Sequence, residues 1–130
     1  MNLDNLTFLP PIYRAIATNI GDWVYGSLVV NDMGTFIHTN DGEVYIAEPY
    51  TIGQYTGVED IDGEPIYTGD VVYLKITHNP IADIAVVRFS KGYFILDDGI
   101  SHISFPKSRC MTVISDVYTM SLDGLDEEDD

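Results

Sequence analysis

The chain has 130 residues, enough for one domain or for two small β subdomains sharing a core. Its 6 basic and 21 acidic residues give a net charge of −15, which argues against direct nucleic-acid binding, because a phosphate backbone needs clustered Lys and Arg. The single cysteine, Cys110, excludes an internal disulfide, and no apolar run approaches the length of a membrane span.

The acidity is not confined to the end of the chain. Residues 126–130 are all acidic, but without them 16 acidic residues still outnumber 6 basic ones, leaving −10. Such a surface suits solubility or a basic protein partner. A hydrophobic content of 45% is ordinary for a packed core, and nine tyrosines with five phenylalanines favour strands over helices. The opening MNLDNLTFLPP has no basic n-region and an early Pro-Pro, unlike a signal peptide.

In chain order, residues 1–11 read as an arm closed by Pro10-Pro11, which cannot donate to a ladder. Ile12 to Ala17 is ambiguous: Ile12, Ile16 and Ile20 keep helical spacing, whereas Ile12, Arg14 and Ile16 alternate as in a strand. Trp23 to Val30 is a clearer strand, and Asn31-Asp32-Met33-Gly34 turns it into Thr35 to His38. Asn40-Asp41-Gly42 turns again into Val44 to Ile46. These are short strands at meander spacing.

The stretch from Tyr50 to Lys75 holds four of the eleven glycines. Thr51 to Gly57 is strand-like, and Asp60-Ile61-Asp62-Gly63-Glu64 is a turn, since Asp-Gly favours a tight reversal. Pro65-Ile66-Tyr67 leads to a second bend at Thr68-Gly69-Asp70. From Val71 a strand places Val72, Leu74 and Ile76 on one face and Tyr73, Lys75 and Thr77 on the other. After a loop at His78-Asn79-Pro80 come Ile84 to Phe89, a Lys91-Gly92 turn, Tyr93 to Leu96, an Asp97-Asp98-Gly99 turn, Ile100 to Phe105, and Met111 to Met120. Five short strands from Val71 onward are what a small barrel needs. The run Asp126 to Asp130 carries too much like charge to pack and reads as a disordered tail.

Gly53-Gln54-Tyr55-Thr56-Gly57, Asp62-Gly63, Pro65-Ile66-Tyr67 and Gly69-Asp70-Val71-Val72 together resemble the signature of the YopX family of phage and prophage proteins. Trp23 to Leu28, with Tyr13-Arg14 upstream, resembles its N-terminal motif. Val113 to Tyr118 resembles its closing strand, with Ser115-Asp116 where the family has Gly-Asn. The resemblance spans roughly Tyr13 to Tyr118. It implies an all-β fold with an SH3-like barrel in the second half, a phage origin and no established activity; it supplies no catalytic residues. It also tips Ile12 to Ala17 towards a strand.

Motifs with chemistry are scarce. Glu59, Asp60, Asp62 and Glu64 invite a calcium loop, but counting from Asp60 the sixth position is Pro65 and the twelfth is Val71, where an EF-hand needs Gly and Glu. They read as a solvated turn, and Asp97-Asp98-Gly99 as an ordinary hairpin turn. His38, His78 and His102 are far apart and lack ligand spacing. Ser101-His102 are strand neighbours facing opposite ways and form no dyad by themselves. Cys110 reads as a half-buried thiol. Trp23, Tyr25, Tyr55 and Tyr67, with Tyr13, are the candidate binding residues, as aromatics able to line a groove.

The reading is an all-β protein with a short-strand N-terminal subdomain over residues 1–57, an SH3-like barrel over 58–120 and an acidic tail over 121–130. It is expected to be a non-catalytic phage accessory protein of the host cytoplasm, without cofactor or metal, that binds a host protein with a basic surface. It is not expected to bind nucleic acid or membrane, and a homo-oligomer is left open. Two rival readings stand beside it. One is an acidic DNA mimic that inhibits a host defence protein in the manner of an anti-CRISPR. The other is a small-ligand binder or enzyme with a pocket between the two halves.

Overall fold

The computed structural model describes residues 11–74, 83–106 and 110–119. The proposed arm, the His78 loop and the acidic tail lie outside these residues. The protein is all-β, built on two antiparallel sheets, and its chain divides into two compact units at Tyr55/Thr56.

The first unit is a meander. Strand β1 (Tyr13–Ile16) pairs with β2 (Trp23–Asn31), β2 with β3 (Gly34–His38), and β3 with β4 (Val44–Ile46). Thus the Ile12–Ala17 ambiguity resolves to a strand, set by the Arg14↔Tyr25 and Ile16↔Trp23 register. The meander curls back on itself. An Ala17↔Ala47 bridge, with Thr18 N–H on the Ile46 carbonyl and Glu48 N–H on the Ile16 carbonyl, both at 2.9 Å, brings the end of β4 to the end of β1. So tight a curl favours small residues at its centre: Ala15, Ala17 and Ala47 are buried with Val24 and Ile37, and Tyr13, Leu28, Tyr45 and Ile52 pack against them. At Gly26 even one methyl is excluded, because a Cβ there would sit 2.1 Å from the His38 carbonyl oxygen. Thr51 is buried beside this core; its hydroxyl accepts the Ile16 N–H (2.9 Å) and donates to the Glu48 carbonyl (2.7 Å).

Strand β5 (Gly53–Glu59) begins in the first unit, pairing Gln54 with Tyr13 and Gly53 with Arg14, and continues into the second, beside β6 (Pro65–Tyr67). The second unit then builds a five-stranded sheet from β7 (Asp70–Leu74), β8 (Ile84–Ser90), β9 (Tyr93–Asp97), β10 (His102–Ser104) and β11 (Met111–Asp116), in the order β10-β9-β8-β7-β11. Its core is larger-grained: Ile66, Val72, Leu74, Ala85, Val87, Leu96 and Met111, all buried. The β8–β9 turn holds Lys91 at φ 53° and Gly92 at φ 87°, the positive pair that a two-residue reversal requires.

Three expectations change here. No closed barrel forms among the described residues, because β10 and β11 are the two ends of the sheet order. The reason lies at the outer edge of β11, already taken by the β5–β6 turn: Ile61 N–H donates to the Met111 carbonyl (2.9 Å), and Val113 N–H donates to Asp60 Oδ2 (3.1 Å). Asp60 is therefore not part of a solvated turn. Its side chain is 1% exposed, and its other oxygen accepts the N–H groups of Asp62 and Glu64, both at 2.9 Å. Finally, β11 stops at Asp116 rather than at Met120, since the Asp116 carboxylate accepts the N–H groups of Tyr118 (3.0 Å) and Thr119 (2.8 Å) and starts a helical turn.

Candidate functional site

Cross-strand register decides which side chains of the first unit share a face. Arg14 lies opposite Tyr25, Ile16 opposite Trp23, Val29 opposite Phe36, Phe36 opposite Ile46, and His38 opposite Val44. Ala15, Val24 and Ile37 point into the curl, so this second set forms the outer face. Ile12, Tyr25, Val44 and Ile46 are exposed there, Tyr25 at 40% with Arg14 as its cross-strand neighbour.

The sequence candidates thus separate. Trp23 and Tyr25 meet on this outer face, two residues apart on β2. Tyr55, half-buried, belongs to β5, and its N–H donates to the Ile12 carbonyl at 2.7 Å. Tyr67 is on β6 in the second unit and only 3% exposed; its N–H donates to Asp70 Oδ2 at 2.8 Å. Sequence reasoning missed Arg14 as a member of the set. The guanidinium carbon lies 4.2 Å from the centroid of the Trp23 ring, and the residue is only 6% exposed. A cation held against an indole in this way gains on the order of 1–2 kcal/mol when desolvated, and it fixes the ring plane. The alternation of Ile12, Arg14 and Ile16 was the available signal, because it places Arg14 on the aromatic side of β1.

Electrostatically, the perturbed carboxylate is structural. Burial pushes the Asp60 pKa up, but the backbone N–H groups of Glu64, Val113, Asp62 and Gly63 outweigh it and hold the group below the usual 3.8. Asp41 is likewise lowered, first by its bond from the Thr39 hydroxyl, on an exposed turn.

Three depressions lie in the second unit. One of about 420 Å³ rests on the sheet face made by Val71, Ile84 and Val86, with Arg88 and Asp97 at its side, 3.5 Å apart. Two others flank β10. A cavity of about 340 Å³ on the core side is lined by Thr56, Val58, Tyr93, Phe94 and Phe105, and Phe94 makes edge-on contacts with Phe89 (5.1 Å) and Phe105 (6.3 Å). A cavity of about 390 Å³ on the opposite side is lined by Ser90, Lys91, Tyr93, Ile95, His102 and Ser104. Among the described residues, no three His, Cys, Asp or Glu side chains are placed to hold a metal, and no helix is long and apolar enough to cross a membrane.

No curated protein matches the chain. The family model described as YopX protein matches residues 17–121, which takes in β2 to β11 and most of the sequence. On that match, the chain belongs to the YopX family.

Proposed function

We propose that the protein is a phage accessory protein that binds a host protein without catalysis, presenting the outer face of its first unit. The observation that carries this reading is the outer face itself: Tyr25, Ile12, Val44 and Ile46 are each exposed on it, and Trp23 is braced by buried Arg14. A preset aromatic ring with apolar neighbours is the composition of an interface centre. The net charge of −15 selects the partner by steering a basic protein towards it. Family membership supports the phage origin. The host cytoplasm is where such a partner is met. The strand order of the second unit, four strands in a meander with the fifth returning beside the first, supports an SH3-like reading of that unit.

The test is to capture the partner from host cells with the intact protein and titrate the complex. Tyr25→Asp is expected to weaken binding at least about tenfold, as loss of a central aromatic contact does. Affinity is also expected to fall steeply as salt rises. Binding indifferent both to salt and to Tyr25→Asp would remove the reading. Displacement of the partner by duplex DNA at fixed ionic strength would replace it with the DNA-mimic reading.

A further inference from the structure

The end strand β10 has a cavity on each side. Asp98 N–H bonds the Ser101 carbonyl (3.1 Å), and Phe105 N–H bonds the Phe94 carbonyl (3.1 Å). With Ile103 opposite Leu96, this phase turns the backbone groups of residues 101, 103 and 105 towards β9. The N–H and C=O groups of His102 and Ser104 therefore point away from the sheet. Among the described residues no strand pairs with them. Pro106, at the next outward position, has no N–H, which ends the row of donors.

We infer that the β10 edge is a strand-addition site for an extended peptide in which apolar and acidic side chains alternate. Successive residues of an added strand point to opposite faces of the sheet. Those on the core side enter the cavity of Val58, Phe94 and Phe105, which is apolar and aromatic. Those on the other side meet Lys91, His102, Ser90 and Ser104, a lining with donors, while Asp97, opposite His102 on this face, is held by Arg88 at 3.5 Å. With Asp97 engaged by Arg88, Lys91 is the charge this cavity offers on a chain of −15, and it selects an acidic group at contact range, inside a screening length of about 8 Å. The turn reinforces it. Lys91 is the one non-glycine residue at positive φ among the described residues, at a position where Asn, Asp or Gly is the easier choice. That choice puts an ammonium beside the polar cavity.

The site is separate from the outer face of the first unit and goes beyond the function proposed above. Two capped hexapeptides test it on the full chain: alternating Glu-Leu-Glu-Phe-Glu-Leu, and its counterpart with Lys for each Glu. The Glu peptide is expected to bind and to slow amide exchange at His102 and Ser104 at least about tenfold at saturation. Ser104→Pro removes an outward donor while keeping the β9 ladder, and it should weaken the peptide about tenfold; Lys91→Gly should weaken it about threefold. Methylating the peptide amides that face β10 makes the same cut on the unaltered protein, whatever Ser104→Pro does to folding. Tyr25→Asp should leave peptide binding unchanged, so the two readings fail separately. No binding of the Glu peptide, equal or tighter binding of the Lys peptide, or binding insensitive to amide methylation would overturn the inference.

Discussion

The two units solve the same problem, building a core in a small β structure, with opposite materials. The first curls tightly around three alanines, Val24 and Ile37, and on its outer face Trp23 and Arg14 brace one another. The second packs Ile66, Leu74, Leu96 and Met111 inside and ties its edge with a buried carboxylate. One unit is limited by space and the other by apolar volume. Substitutions of opposite sense should therefore injure them.

The largest effect is expected from removing volume in the second unit. Leu96→Ala deletes a fully buried side chain from the middle of β9 and should cost about 2–5 kcal/mol, read from denaturant unfolding. A cost below about 1 kcal/mol would mean that this core collapses as readily as a loosely filled one. Next comes the tie. Asp60→Ala leaves the N–H groups of Asp62, Glu64 and Val113 without their acceptor and should cost about 2–3 kcal/mol.

The same carboxylate gives a pH signature. Its folded pKa lies below the unfolded value near 3.8, so its stabilisation is full above that value and is lost as pH falls through the lower folded pKa. The difference in stability between the parent and Asp60→Ala should shrink below about pH 4. A difference constant to pH 2 would assign the effect to packing alone.

The first unit should fail by overfilling. Ala15→Leu adds volume where the curl has none and should cost about 1–3 kcal/mol. If that substitution is neutral, the alanine core is loose and the contrast between the units dissolves. Smallest is the outer brace: Arg14→Met keeps the aliphatic stem and should cost about 1 kcal/mol, with the change in tryptophan fluorescence reporting a freed ring.

What could be read in the sequence followed local chemistry. The glycines and Asx turns marked nearly every strand end, and Gly69 does take the positive φ, 92°, expected at the bend before β7. Alternation at Val72 and Leu74 named the buried face of β7. Long-range partners were not legible. Asp60 looks like any turn aspartate until Val113 arrives beside it, fifty-three positions later. Likewise, five strands suggested a closed or nearly closed barrel, because nothing in Met111 to Asp116 says that its outer edge is already occupied. At the candidate site, Trp23 and Tyr25 were readable as a pair on one face of a strand. Tyr67 was not readable as buried, since its neighbours in sequence are a proline, an isoleucine and a turn.

The bond between Asp60 and Val113 also sets an order of events during synthesis. Its 53-residue separation means that, at about 5–20 residues per second, the β5–β6 turn leaves the ribosome several seconds before its partner strand. Through that interval the Asp60 carboxylate remains in water and charged. Only the arrival of β11 converts it into a buried acceptor, while the same strand takes its place beside β7. Chains halted before residue 111 should therefore hold a hairpin with no lock, and the last strand made is the one that commits the second unit to its final form.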